Sequence, residues 1–210
     1  MSEEMKPMFL PDVEKNADPN PYNDAIAMMK STGATEYPQI WHMFAFKPAA
    51  TSHLARFTQE IMREDGPLSP GIRELIAAYT SARNDCPFWL KSHAAVAAVL
   101  LEKERESING EEFVAAVLRD VETSGVSDPE KALFRFVDKV NHQSTSISPE
   151  DMQALYAVGW SDDAIYYAIT VCALFNFYNR WIDASGVHPL SDEAHRMGGK
   201  RSAGSGYVRK

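Results

Sequence analysis

One stretch decides the fold prediction: residues 72–93 read IRELIAAYTSARNDCPFWLKSH. Its first half carries an apolar stripe with the three- and four-residue spacing of an amphipathic helix, made of Ile72, Leu75, Ile76 and Tyr79. Ser69-Pro70 just before it supplies a helix cap followed by a proline in the first turn. Asn84-Asp85-Cys86-Pro87 then marks the start of a second helix, which passes through His93 into an alanine-rich run. The stretch therefore predicts two consecutive helices.

The rest of the chain repeats this pattern. Residues 50–64, 111–123 and 129–142 carry similar stripes, and Ser148-Pro149 and Ser161-Asp162 mark further helix starts. No segment alternates apolar and polar residues between hairpin turns, as a strand would. We predict an all-α fold, an orthogonal multi-helix bundle with short connections. We expect an irregular N-terminal arm over residues 1–21, one helical domain over residues 22–199, and a flexible, basic, Gly/Ser-containing tail over residues 200–210.

Composition restricts the classes of function. The 210 residues carry a net charge of −8 and have a pI of about 5.3, so the surface repels phosphate backbones and nucleic acid is not an expected partner. We expect no membrane span, because no apolar run approaches the roughly 18 residues that one needs. The acidic, proline-rich start is not that of a signal peptide. We therefore expect a cytoplasmic protein without a disulfide framework. The scattered histidines lack metal-ligand spacing, so we expect neither a metal nor another cofactor.

Cys86, His93 and Glu74 form the candidate catalytic group. A cysteine at a helix N-terminus can be stabilised as a thiolate by free backbone N–H groups and the helix dipole. His93 comes seven residues later, nearly two turns along the same face, about 10 Å away along the axis. A third group or a water would have to bridge that gap. Glu74 could supply the bridge if the two helices pack side by side.

The register of these residues resembles the alkylhydroperoxidase D-like / carboxymuconolactone decarboxylase family. Its peroxidases carry a Glu, a Cys-x-x-Cys pair that begins twelve residues later, and a His four residues after the second Cys. Glu74, Cys86 and His93 match three of these positions, and the run Phe175–Arg180 is similar to a segment of the peroxidase-related members. The resemblance covers roughly residues 50–185. It implies a helical fold and assembly into homo-oligomers.

The sequence departs from the family pattern at Trp89, which stands where the second cysteine would be. The dithiol–disulfide cycle of the family's peroxidases therefore cannot run in this chain. Three hypotheses follow, each with a small-molecule substrate where the chain is an enzyme. Cys86 could reduce hydroperoxides as a single reactive thiol, with Glu74 and His93 relaying protons. Glu74 and His93 could instead act as acid and base on a small organic acid or lactone. The chain could also be an oligomeric binding protein with an inactive site.

Other residues are candidates for a pocket near this group. Tyr79 and Trp89 flank Cys86 and His93 in sequence, with packing as the simpler role for Trp89. Three polar residues share one face of an otherwise apolar helix and are expected to join a hydrogen-bond network, namely Asn176, Asn179 and Arg180. That network could line a pocket or hold a subunit interface. Cys172, among apolar neighbours, is expected in the core.

Overall fold

A computed structural model describes residues 5–208 of the chain. Those residues form eleven α-helices and one short 3₁₀ turn, Ser144–Ser146, and contain no strand. The helices are α1 (Pro11–Lys15), α2 (Pro21–Ser31), α3 (Ile40–Phe46), α4 (Pro48–Arg63), α5 (Pro70–Arg83), α6 (Pro87–Glu104), α7 (Gly110–Arg119), α8 (Asp128–Gln143), α9 (Pro149–Ala157), α10 (Asp162–Asp183) and α11 (Asp192–Ser205). The predicted all-α fold class is confirmed.

The helices begin at the residues whose chemistry favours a helix start. The Ser69 hydroxyl accepts a hydrogen bond from the backbone N–H of Ile72 at 3.3 Å, with Pro70 as the first residue of α5. Ser127 and Glu130 form a reciprocal capping box at the start of α8. Cys86 occupies the cap position before Pro87 at the start of α6. Side-chain caps thus mark the starts of α5 and α8, and Pro87 marks the start of α6.

Helix α5 lies at the centre of the bundle, and every residue from Gly71 to Ser81 is buried. It packs along α6 and against α10, while α6 also contacts α7 and α11. Glycines allow two of these close approaches. A Cβ on Gly110 would lie 2.1 Å from the backbone oxygen of Ala98, and one on Gly199 would lie 2.7 Å from the Cβ of Ala95. Glycine therefore brings α7 and α11 against two neighbouring positions of α6.

Both ends of the described chain differ from their expected form. The arm expected to be irregular contains helix α1, and Met8 and Val13 contribute to the core. The backbone N–H of Phe9 donates to the carbonyl of Ser185 at 2.9 Å. The expected tail boundary at residue 200 falls inside α11, because Gly199 lets this helix lie directly on α6. Residues 1–4 and 209–210 belong to these predicted segments but lie outside the described range.

The hydropathy of the helices bears on the membrane prediction. Over residues 5–208, no helix is both long enough and apolar enough to cross a bilayer.

Candidate functional site

Glu74 and His93 meet at the centre of the bundle. Glu74 lies in the second turn of α5 and His93 in the second turn of α6, and the packing of these helices places the two side chains together. The Nδ1–H of His93 donates a hydrogen bond to Oε2 of Glu74. Both side chains are closed to solvent, with exposed fractions of 0% for Glu74 and 2% for His93. The carboxylate therefore fixes the imidazole tautomer and orientation, as in a general-base dyad.

The second oxygen of Glu74 is also fully engaged. Its Oε1 accepts from the guanidinium of Arg63 at 2.5 Å and from the hydroxyl of Tyr207 at 2.5 Å. Burial acts to raise the pKa of Glu74, but the charges and hydrogen bonds of His93 and Arg63, with the hydrogen bond from Tyr207, outweigh it and lower the pKa to about 2. Glu74 is consequently an anion at neutral pH even though no water reaches it.

The other nitrogen of His93, Nε2, has no hydrogen-bond partner in the described part of the chain, although it is buried. Aromatic rings enclose the imidazole: the Phe175 ring centre lies 4.3 Å from it and the Trp89 ring centre 5.0 Å. The indole Nε1–H of Trp89 likewise has no described partner. Buried polar atoms are nearly always paired in folded proteins. Two unpaired nitrogens on neighbouring rings therefore indicate a place where a polar ligand or water completes the site.

Cys86 points to a different neighbour. Its thiol is fully buried and donates to Oδ1 of Asp183 at 3.2 Å, at the end of α10. Burial and the Asp183 carboxyl raise the pKa of Cys86 to about 12, against the opposing effect of backbone N–H groups in the first turn of α6. The helix N-terminus thus does not produce a thiolate here, because loss of solvent is the larger effect. Cys172 is a buried free thiol within α10, where the sequence placed it.

Three of the candidate pocket residues do not join this dyad. Asn176 lies in a closed ring of three amides with Asn84 and Asn141, in which each side chain donates once and accepts once, at 3.2, 2.6 and 3.1 Å. Arg180 is exposed and donates to Oδ1 of Asn176 at 2.6 Å. Asn179 accepts separately from Ser81 at 3.0 Å. The expected polar network exists, but it ties α5, α8 and α10 together and excludes Asn179.

Tyr79 faces away from the dyad, towards α8. Its hydroxyl accepts from Arg83 at 2.9 Å and lies 3.4 Å from Asp138. Arg83 forms its ion pair with that same Asp138. Arg73, the sequence neighbour of Glu74, donates to backbone carbonyls at the end of α4.

Sequence reasoning missed two residues of the site, Arg63 and Tyr207. Arg63 is the last residue of α4 and lies only eleven positions before Glu74, yet nothing in the pattern distinguishes it from other exposed-looking arginines. Tyr207 falls in the stretch that was expected to be a loose tail. A tyrosine among Gly, Ser and basic residues was the available signal, since an aromatic ring gains much from burial.

The described residues contain no metal-binding cluster, because no three His, Cys, Asp or Glu side chains are grouped to hold an ion.

The dyad resembles the base and orienting carboxylate of an acid–base site. A neutral imidazole held by a carboxylate at Nδ1 can accept a proton at Nε2, and the carboxylate then stabilises the imidazolium.

Comparison with solved structures addresses the fold. No family model matches the chain, and no curated protein sequence matches it. One similar solved structure is described as the alkylhydroperoxidase AhpD core of an uncharacterized peroxidase-related protein from Ralstonia eutropha, with 21% identity, a TM-score of 0.69, and coverage of 91% of this chain and 92% of that one. An uncharacterized peroxidase-related protein from a Silicibacter species has 20% identity, a TM-score of 0.75, and coverage of 93% and 97%.

The chain has the alkylhydroperoxidase D-like fold. The similarity extends over nearly the whole length of both chains, so the architecture expected from the register of Glu74, Cys86 and His93 is confirmed. Within the alkylhydroperoxidase D-like fold, Trp89 lies in the first turn of α6 and against His93. Identity near 20% extends to the fold and not to the activity.

Proposed function

We propose that the protein is a cofactor-independent enzyme that moves a proton on a small organic acid or lactone, with His93 as the base and Glu74 as its orienting carboxylate. The observation that carries this proposal is the buried Glu74–His93 pair with Nε2 of His93 left without a described partner. A proton acceptor held in one orientation in a water-free site is what abstraction of a proton next to a carbonyl requires.

The reaction class follows from the groups present. Nε2 of His93 takes the proton from the carbon beside the carbonyl, and the electron pair moves to the carbonyl oxygen to give an enolate. The imidazolium is stabilised by Glu74, whose charge is held in place by Arg63. Return of the proton to the far carbon of an unsaturated enolate gives an isomer. Loss of carbon dioxide from a 3-oxo acid instead breaks the carbon–carboxylate bond and leaves the enolate of the shorter product, which takes up a proton where the carboxylate was. Neither path needs a redox partner.

Hydroperoxide reduction through Cys86 has weaker support. One observation favours it, since backbone N–H groups of Phe88 and Trp89 act to lower the pKa of the thiol. Burial and Asp183 outweigh them, and the pKa near 12 leaves almost no thiolate at neutral pH. An inactive binding protein, the third hypothesis, gains support from the packing of Trp89 on His93, but it offers no reason for a buried ion pair beside an unpaired imidazole nitrogen.

The test is deuterium exchange in D₂O, followed by proton NMR on a panel of unsaturated γ-lactones and 3-oxo acids. Wild type is compared with His93→Gln and Cys86→Ser. We expect His93→Gln to lose about 100-fold or more of the exchange rate, the usual contribution of a general base, and Cys86→Ser to keep it. Loss in Cys86→Ser with retention in His93→Gln would move the chemistry to the thiol. Absence of exchange across the whole panel would favour the binding protein.

A further inference from the structure

Tyr207 fills a slot whose walls suit a hydroxylated ring. We define the slot by three side chains, Arg63, Glu74 and His93. The guanidinium of Arg63 lies 4.7 Å from the centre of the Tyr207 ring, in a cation–π arrangement. The imidazole of His93 is nearly parallel to that ring, at 16° and 6.4 Å between centres. The phenol hydroxyl donates to Glu74 at 2.5 Å. The slot therefore suits a flat ring, whose face lies against Arg63 and His93, with a hydroxyl that donates its proton to Glu74.

The segment that delivers this ring has few attachments. We call Gly206 and Tyr207 the strap, because they follow the end of α11 at Ser205 and cross the buried dyad. The backbone N–H of Tyr207 donates to Oε1 of Gln59 at 2.8 Å. Gly206 has a φ of +68°, and a Cβ there would lie 2.4 Å from the same oxygen of Gln59. The backbone N–H of Gly206 also donates to the carbonyl of Ser202 at 3.2 Å. The strap backbone thus depends on two hydrogen bonds and on a conformation that favours glycine.

A ligand can reach His93 only by displacing a side chain, because both members of the dyad are closed to solvent. The other rings that contact His93 belong to long helices: Trp89 lies in the first turn of α6, and Phe175 lies within α10. These two rings also pack on each other, so moving either of them disrupts the contact between α6 and α10. Moving Tyr207 requires only the strap to change conformation. The strap is therefore the replaceable wall of the site.

We infer that the Tyr207 slot is the ligand site of the proposed enzyme, that the strap is its internal occupant, and that the ligand is a flat ring or enol carrying an un-ionised hydroxyl. This inference rests on the proposed function, since it names the ligand class of the same dyad, and it narrows the proposed substrates to un-ionised compounds such as lactones and their enols. Glu74 accepts a proton donor at that position and repels an anion, and Arg63 already serves as the counter-charge of Glu74. A ligand hydroxyl replaces the Tyr207 hydroxyl one for one, so no buried charge is left unpaired.

The probe is p-cresol, which is the tyrosine side chain itself. Two matched compounds are compared with it: toluene, which lacks the hydroxyl, and benzoate, which carries a negative charge. Binding is followed by ¹H–¹⁵N NMR at the backbone amide of residue 207 and at the His93 ring. The proteins compared are wild type, Tyr207→Ala and Gly206→Ala. The second variant keeps the ring but disfavours the strap conformation. Gly204→Ala is the control, since a Cβ there meets no atom within 4 Å.

In wild type, p-cresol should shift the Tyr207 amide as the strap leaves. Both strap variants should bind p-cresol about tenfold or more tightly than wild type, since removal of an internal competitor raises apparent affinity. Gly204→Ala should match wild type. In the strap variants, p-cresol should bind about tenfold or more tightly than toluene, because the hydroxyl bonds to a charged acceptor, and benzoate should not compete.

Unchanged p-cresol affinity in both strap variants, or equal binding of toluene, would overturn the inference. Its failure can be separated from failure of the proposed function, because binding is read without turnover. Cresol binding without deuterium exchange on any substrate would support the ligand slot and reject the proposed enzyme activity. Exchange that depends on His93 without displacement of Tyr207 would support the enzyme activity and reject the ligand slot.

Discussion

Glu74→Gln is the substitution that tests the electrostatics of the site. The carboxyl has a pKa of about 2 in the folded protein and an ordinary value of 4.5, and a shift of this size corresponds to about 3 kcal/mol of stability at neutral pH. Glutamine keeps the shape but leaves Arg63 without its counter-charge and removes the anionic acceptor of the His93 Nδ1–H. Loss of one partner from a buried pair costs about 3–5 kcal/mol, so we expect a decrease of at least about 3 kcal/mol at pH 7.

The pH dependence of this difference follows from the direction of the shift. Because Glu74 is more acidic in the folded protein than in the unfolded chain, its stabilisation is complete above pH 4.5 and is lost as the pH falls towards 2. The stability gap between wild type and Glu74→Gln should therefore narrow by about 2 kcal/mol between pH 7 and pH 3.

Urea unfolding followed by tryptophan fluorescence at pH 7, 5 and 3 measures this gap. Glu102→Gln, which changes an exposed carboxylate on α6, is the control and should alter stability by less than about 0.5 kcal/mol at each pH. A gap below about 1 kcal/mol at pH 7, or one of equal size at pH 7 and pH 3, would refute the assignment of a charged, paired Glu74.

Three further predictions concern packing, thiol reactivity and assembly. Gly199→Ala should destabilise the protein by about 1–3 kcal/mol through overpacking against α6. Gly198→Ala, with no atom within 4 Å of its added Cβ, should stabilise α11 by up to about 1 kcal/mol. Thermal unfolding measures both variants, and equal changes in stability would contradict the prediction. Cys86 should react with iodoacetamide at pH 8 about 100-fold more slowly than a free thiol. Asp183→Asn should speed the reaction, because Asp183 helps to raise the pKa of the thiol. Intact mass followed against time measures both rates, and a wild-type rate equal to that of a free thiol would contradict the prediction. The homo-oligomer stays a prediction. Ile169 and its neighbours form an exposed apolar stripe on α10, so Ile169→Glu should lower the molar mass measured by light scattering to that of a monomer. A monomeric wild type would contradict the prediction.

Much of the fold was predictable because its signals are local. The start of α5 follows from Ser69-Pro70 and the start of α6 from Cys86-Pro87, since capping is decided within one turn. Helices α1 and α11 escaped prediction for a tertiary reason. Both have weak apolar patterns and are held by contacts with distant parts of the chain, such as Gly199 on Ala95.

The candidate site divides in the same way. Glu74 was expected to bridge Cys86 and His93 if the two helices lay side by side. It meets His93, but Cys86 donates to Asp183 instead; the catalytic roles stay a prediction. The expected thiolate at Cys86 did not allow for burial, which depends on Asp183 and other residues nearly a hundred positions away. Tyr207 lies still further from Glu74 in sequence, and no periodic pattern extends over such a distance.

The donors to Glu74 have an order in time as well as in space. During synthesis Arg63 emerges first, Glu74 and His93 soon after, and Tyr207 more than a hundred residues later. A chain leaves the ribosome at about 5–20 residues per second, so α4, α5 and α6 emerge seconds before Tyr207, a hydrogen-bond donor to the carboxylate, has been made. A nascent bundle stalled before α11 would hold an unstrapped dyad, and arrival of Tyr207 would close it.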